Sequence, residues 1–556
     1  MNLQIISAVL RYVLPLLALL ILGRCSWSLL LYQKEPEVWA WLTGPDGNRL
    51  QITHWESLLG RSKGCDVVLQ YPTISRSHAV LTRYDDGSWS ISDIGSKGGI
   101  LVNGEPVEMA AVDFGDVISL GGVEFALEPI TKYQEQVQAS VRTRAGGQIR
   151  PAFTLLLLTM FQALVTLQLC LAETDNIQIV TAFGVLAGMQ WLLLIFTRLL
   201  RRSGFEAETI AFFLCTLGMA VIASGDPAEL TKQLICIGAG LVVFLVVCWS
   251  LRDLERAKKL RYVAAAGSLL LLGVNLAFGV ELGGAKNWIY IGGMSFQPSE
   301  LVKLCFLFVG ASTLQRIMTK RNMFLFLAYS AVICGCLVLM NDFGTALIFF
   351  AAFVVIAYMR SGSFATIALI VAAVAMAGLL AIRFRPHMLS RFSAWGHVWE
   401  NALTSGYQQT RAMMCIASGG LFGLGGGNGW LKYVAAADTD LVFAFVAEEW
   451  GLILAVLMVL SVVVLAAFVV KSASVGRSSF YVIGACTAAM ILVVQTVLNV
   501  FGTVDLLPLT GVTLPFVSNG GSSMIACWGL LAFIKGADTR QNASMVIKLP
   551  SRKAAE

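Results

Sequence analysis

Residues 451–470 read GLILAVLMVLSVVVLAAFVV. That stretch contains no charge, and as an α-helix it would rise about 30 Å, the thickness of a bilayer's hydrocarbon core. It lies inside a span expected over 442–470, and similar runs lie near 152–172, 177–197, 207–224, 233–250, 262–279, 299–314, 323–340, 344–359, 364–382, 480–502 and 520–535. Of 556 residues, 57% are hydrophobic and only 13% charged, well below a soluble domain's charge content. A polytopic all-α membrane domain is expected. An earlier run, from Tyr12 to Tyr32 with Arg24 inside it, reads as an N-terminal anchor, because it is long and lacks the small-residue cleavage site of a secretory signal. The total is about thirteen spans, an odd number, which puts the two termini on opposite sides.

Net charge is +6, but its placement says more than its sum. Basic residues gather at alternate span ends: Arg198, Arg201 and Arg202; Arg252, Arg256, Lys258, Lys259 and Arg261; Arg316, Lys320 and Arg321; Lys471 and Arg477; then Lys535, Arg540, Lys548, Arg552 and Lys553. The positive-inside rule makes these ends cytoplasmic. Their recurrence at every second helix end argues against a nucleic-acid surface. The loops Glu173–Asn176, Ser224–Leu230, Glu281–Pro298, Arg383–Asp440 and Thr503–Gly520 are then expected outside. The 12 cysteines form no CxxC pair and the 4 histidines are scattered, so neither a disulfide framework nor a zinc motif is expected.

From Val38 to Pro129 the pattern changes. QITHW, DVVLQ, HAVLTRY, SWSISDI and VEFALE alternate with period two between Gly, Asn and Asp turns, as in an all-β sandwich. This region carries Gly60-Arg61, Ser75-Arg76-Ser77-His78, Asp93-Ile94-Gly95-Ser96 and Asn103-Gly104. It resembles a forkhead-associated (FHA) domain. The resemblance implies a cytoplasmic phosphothreonine-binding module, with Arg61 and Ser75 on the phosphate, Arg76 and Asn103 in the phosphopeptide site, and His78 bracing the loop from within. A planar guanidinium fork and a hydroxyl suit a phosphate. One departure stands out: the usual S-x-N-G-T reads Ser96-Lys97-Gly98-Gly99-Ile100, without the Asn that grips the ligand backbone. A degenerate domain kept for packing is the competing expectation.

Three further blocks punctuate the spans. The first is Gly284-Ala285-Lys286-Asn287-Trp288-Ile289, leading to Phe296-Gln297-Pro298-Ser299-Glu300-Leu301-Val302-Lys303. The second joins Gly406-Tyr407-Gln408, Ser418-Gly419-Gly420, Thr439-Asp440-Leu441-Val442-Phe443-Ala444 and Glu448-Glu449-Trp450-Gly451. The third runs from Leu507 to Ser523, LPLTGVTLPFVSNGGSS. In this order they resemble the SEDS family (shape, elongation, division and sporulation; RodA/FtsW/SpoVE). Resemblance gives residues 204–537 a ten-span core. Residues 1–35 are then an anchor, 36–130 the FHA domain, 131–150 a linker, 151–203 two extra helices, and 538–556 a cytoplasmic tail. Family features missing here include a Tyr at Asn519, a Gln-Ser pair at Arg411-Ala412, and an Asp-Pro after Arg391-Phe392. Leu509-Thr510-Gly511 looks more like the elongation branch than the division branch.

Resemblance implies a peptidoglycan glycosyltransferase that polymerises lipid II outside the cytoplasmic membrane and releases undecaprenyl pyrophosphate, beside a class B penicillin-binding transpeptidase. Asp440 would be the catalytic base, although an Asp at a helix start also serves as a cap. Glu300 and Lys303 stand one turn apart inside a span, where charges mark a functional site or an ion pair locking helices. Glu448 and Glu449 support the site or meet a buried cation. Ser518 and Ser522 line a helix-packing surface or a phosphate-binding helix start. Lys286, Trp288, Gln297 and Gln408 complete the supporting set, and Lys286, Arg383, Arg385, Arg391 and Arg411 are cations for the pyrophosphate. The residues name no cofactor with certainty; a divalent ion, Mg or Mn, is the candidate. A lipid-precursor transporter and an inactive phospho-dependent scaffold are the alternatives.

Overall fold

The computed structural model describes residues 2–31, 37–131, 149–313, 320–361 and 395–538, apart from a few positions inside these ranges. Most of the expected span over 364–382, Arg383, Arg385 and Arg391, most of the linker and the C-terminal tail lie outside the described residues.

The helices are α1 (Asn2–Ser26), α2 (Pro151–Cys170), α3 (Asn176–Leu199), α4 (Glu206–Gly225), α5 (Leu230–Leu251), α6 (Leu254–Phe278), α7 (Pro298–Thr313), α8 (Lys320–Leu339), α9 (Phe343–Ser361), α10 (Tyr407–Gly419), α11 (Val442–Trp450), α12 (Leu452–Ala473), α13 (Ser479–Thr503) and α14 (Gly521–Gly536). Among the described residues eight helical segments are long and apolar enough to cross a membrane, and three shorter ones are apolar. The chain is a multi-pass membrane protein. The anchor begins earlier than expected, at Asn2, and ends in one π-helical turn, Trp27–Leu31.

The span expected over 442–470 is two helices. Gly451, at φ +93°, breaks it, and a Cβ there would stand 2.4 Å from the Leu421 carbonyl oxygen. The carbonyls of Glu448 and Glu449 would have closed the helix. Instead they accept the N–H groups of Leu424 and Gly425, both at 2.9 Å. Leu452 and Ile453 in turn donate to Gly420 and Leu421. A glycine-rich segment can lie this close to a backbone because it has no side chains to keep apart. The loop expected over Glu281–Pro298 is also structured, as the antiparallel strands β12 (Val280–Leu282), β13 (Ala285–Ile291) and β14 (Met294–Phe296).

The FHA region is a two-sheet sandwich. One sheet runs β2 (Arg49–Ile52), β1 (Ala40–Thr43), β11 (Val123–Pro129), β10 (Val117–Leu120), β7 (Ile100–Val102) and β8 (Glu105–Val107), and the other β4 (Val67–Val68), β3 (Glu56–Gly60), β5 (Ala79–Arg83), β6 (Trp89–Asp93) and β9 (Met109–Val112). Leu42, Leu81, Ile91, Ile118 and Leu127 are fully buried between the sheets, as the period-two pattern requires. The sandwich meets the bundle at one end, where Ser479, at the start of α13, donates to Glu56 of β3 (Glu56–Gly60), while Lys471 at the end of α12 donates to the Leu30 carbonyl in the anchor's π-helical turn. Lys535 does not join a solvated basic cluster at that end. It is buried, donating to Glu208 at 3.0 Å and to the Gly204 carbonyl at 2.9 Å. The extra helices are locked to the core by polar side chains, Gln162 of α2 reaching Gln190 of α3 at 3.1 Å and Thr216 of α4 at 3.0 Å.

Candidate functional site

Asp440 ends a turn over residues 435–440 that leads into α11. The cap of α11 is the next residue, Leu441, without a side-chain cap bond, so capping does not explain Asp440. The turn is held through its carbonyls. Gln408 of α10 donates to Ala435 (2.8 Å), Asn519 to Asp438 through its backbone N–H (2.9 Å), Ser518 to Thr439 (2.6 Å), and Asn499 of α13 to Asp440 (3.1 Å). Asn519 also donates to the Asp438 carboxylate at 2.7 Å, so this departure from the family pattern has a task of its own. The Asp440 side chain is half-buried, and a Cβ on Gly511 would lie 3.5 Å from its Oδ2.

Behind the turn, all nine residues of α11 are buried. Glu448 accepts the N–H groups of Trp430 and Leu431, each at 2.9 Å. Glu449 accepts from Ser224 (2.6 Å), Gly427 (3.1 Å) and Gly429 (3.2 Å). Each carboxylate therefore serves as an acceptor for loop backbone. Ion-like acceptors at otherwise orphaned N–H groups are strong pins, and these fix the segment that precedes the Asp440 turn.

The first and third blocks meet. The N–H of Gln297 donates to Ser522 (2.9 Å), and its side chain reaches Asp342 (3.3 Å), where Asn287 also donates (3.0 Å). Lys286 sits on β13 with its ammonium on the Leu276 carbonyl (2.8 Å), and Trp288 is half-buried on the same strand. Lys303 and Glu300 form a buried ion pair at 2.7 Å on α7, and Glu300 Oε2 has no hydrogen-bond partner among the described residues. Arg411 lies over the Tyr407 ring, 5.3 Å from its centroid. Sequence reading missed Asp342 and Asn499. A lone acid between two apolar runs, and an amide inside one, were the available signals. Among the described residues no group of three or more His, Cys, Asp or Glu is placed to hold a metal. Asp438, the other carboxylate of the turn, is already engaged by Asn519.

In the FHA region Ser75 accepts the Lys97 N–H at 3.0 Å, leaving its own proton to donate. Arg61 is exposed and gives one N–H to Pro72 (3.3 Å), with others in reserve, and Arg76 is exposed nearby in sequence. His78 is fully buried, between the Ser75 N–H (3.1 Å) and the Gly99 carbonyl (3.0 Å), as a brace. The Asn103 amide is engaged within the fold. With Gly104, Asn103 makes the left-handed turn between β7 (Ile100–Val102) and β8 (Glu105–Val107), and its amide is taken by Asp116 (2.9 Å) and the Val117 N–H (3.0 Å). Asn103 thereby holds the Asp116 carboxyl below the usual carboxylate range, helped by the Asp113 N–H. Gly98, where the family has Asn, has no room for a side chain: a Cβ would come 2.7 Å from the Gly121 α-carbon.

A bundle carrying three linked motif blocks around a braced aspartate defines a class of membrane protein, and the comparisons supply its family. The FtsW/RodA/SpoVE cell-cycle protein model matches residues 209–543, and the FHA domain model matches residues 58–121. The chain belongs to the FtsW/RodA/SpoVE family, with an FHA domain at its N-terminal side. It is 29% identical to the peptidoglycan glycosyltransferase RodA of Mycobacterium tuberculosis over 327 residues, covering 54% of this chain and 69% of that one. It is 32% identical to FtsW of Tolumonas auensis over 366 residues, 61% and 93% of the two chains. A solved chain from a peptidoglycan synthase complex that coordinates polymerisation and crosslinking aligns with TM-score 0.51 and 28% identity, covering 59% of this chain and 96% of that one.

Proposed function

We propose that this protein is a peptidoglycan glycosyltransferase of a bacterial cytoplasmic membrane, polymerising lipid II at the face opposite its FHA domain. The family membership and the relatives' activity support the reaction class. The observation that carries the site is Asp440: a half-buried carboxylate on a turn whose carbonyls are tied by side chains from α10, α13 and the 507–523 segment. Such bracing suits a group that must meet a reacting atom in one geometry. Asp440 takes the proton of the acceptor sugar hydroxyl as that oxygen bonds to the donor's anomeric carbon. The bond from that carbon to undecaprenyl pyrophosphate breaks, and the pyrophosphate leaves with the electron pair. Arg411 and the remaining N–H donors of Lys286 are the described cations for it.

The FHA domain lies in the cytoplasm on this reading, with Arg61, Ser75 and Arg76 receiving a phosphothreonine of a partner protein. The basic residues that gather at its end of the bundle support that side. On intact cells, a cysteine introduced at Trp399 should react with an impermeant label and one at Lys97 should not; the reverse would overturn the topology. A class B transpeptidase is the expected membrane partner. The test of function uses purified full-length protein, that partner and labelled lipid II. Wild type makes glycan polymer. Asp440→Asn binds lipid II and polymerises about 100- to 10,000-fold more slowly, the usual contribution of a general base. Polymerisation by Asp440→Asn at the wild-type rate removes Asp440 from the chemistry, and no polymer from the wild type favours a transporter or a scaffold.

A further inference from the structure

Asn499 lies in none of the three motif blocks, yet its one carboxamide nitrogen joins two of them. Nδ2 donates to the Asp440 carbonyl at 3.1 Å and to the Val512 carbonyl at 2.8 Å. Those bonds take both of its N–H groups. The side chain is 2% exposed on α13, a helix packed from end to end in the bundle, so the clamp has a fixed origin. One turn on, Thr503 donates to the Asn499 carbonyl at 2.8 Å and lies 3.4 Å from the Asp440 carbonyl.

The second anchored carbonyl matters because of what precedes it. Val512 follows Gly511, which holds φ +68° and faces the Asp440 carboxylate. The backbone of the acid and the turn opposite its carboxylate therefore hang from a single amide. Only an amide does this here. Leu would take this donor from the Val512 carbonyl and leave the Asp440 carbonyl with only the longer Thr503 contact, and Asp has no N–H and would set negative charge against both oxygens. The two carbonyls also fix the orientation of the amide, since a flipped group would place Oδ1 against them.

We propose that Asn499 is a positioning residue for glycosyl transfer, setting where the Asp440 carboxylate stands relative to the Gly511–Val512 turn. The proposal rests on Asp440 being the base. Displacing a positioned group by about 1 Å lowers rates on the order of 100-fold, and substrate binding elsewhere in the site need not change.

The test measures lipid II polymerisation by the full-length protein with its transpeptidase, at saturating and limiting lipid II. Asn499→Ala should lower kcat about 10- to 100-fold with KM nearly unchanged. In an Asp440→Asn background the same change should lower the residual rate no further, because there is no base left to misplace. A purely structural role predicts lower thermal stability with kcat per folded molecule intact, or losses that multiply in the double variant; either overturns the proposal. If Asn499→Ala does not fold, Thr503→Val is read in the same cycle: a few-fold kcat loss that disappears in the Asp440→Asn background supports it, and an unchanged or multiplying loss overturns it. Should Asp440→Asn alone polymerise normally, the reading of the base fails, and that result is separate from any effect at Asn499.

Discussion

The Asp440 turn and the FHA phosphate rim are both short loops on rigid scaffolds, but they are built in opposite ways. At Asp440 the surrounding motif residues face inward and hold backbone: Ser518, Asn519, Glu448 and Glu449 all bond turn or loop groups. At the rim Arg61 and Arg76 face solvent, while Ser75 and His78 tie the loop from within. The difference follows from the solvent. Backbone enclosed by protein must be satisfied by protein, so neighbouring polar side chains are drawn into holding it. A loop in water has that done for it, and its polar side chains remain available for a ligand.

That contrast is open to attack at three points. The largest effect belongs to Glu448→Ala, which leaves the Trp430 and Leu431 N–H groups without their acceptor. A buried Leu431 donor stranded at about 1–3 kcal/mol, with a smaller penalty for the part-buried Trp430 donor, should lower stability by about 2–4 kcal/mol. Thermal unfolding in detergent reads it, and an unchanged midpoint would show that the loop does not depend on this carboxylate. Next comes Arg61→Ala, which should leave the rim folded and weaken binding of a phosphothreonine peptide by about 1.5–3 kcal/mol, the worth of a charged hydrogen bond. Equal binding of phosphorylated and plain peptides by the wild type would reduce the domain to a packing module. The smallest effect is expected at Gly98→Asn. Restoring the family residue should not improve peptide binding, and the clash with Gly121 should destabilise the sandwich by about 1–3 kcal/mol. Tighter binding by this variant would break the argument that the backbone has closed over the site.

The fold was legible because its signals are periodic and long. Apolar runs such as 480–502 reappear as α13, Ser479–Thr503, to within a residue, and the alternating stretches appear as sandwich strands. The break at Gly451 was hidden because it arises from hydrogen bonds to residues 420–425, a tertiary exchange that local hydropathy does not register. The site was legible in its named acids and bases, and less so in their tasks. Asn103 sits in a family motif yet is consumed by a hairpin turn and Asp116. Asp342 and Asn499 sit outside the motifs read and bond groups within them. A residue type records what a side chain is able to do, whereas its partner, set by the fold, decides what it does.

Helix α13 touches both regions. Its first residue, Ser479, bonds Glu56 of the FHA sandwich, and Asn499, about 30 Å further along the axis, carries the Asp440 clamp. Geometrically it is a lever arm. A lean of about 2° at the sandwich sweeps the far end through about 1 Å, the displacement at which a positioned reaction loses on the order of 100-fold in rate. One continuous helix thus carries a contact with the sandwich at one end and the clamp on the Asp440 backbone at the other.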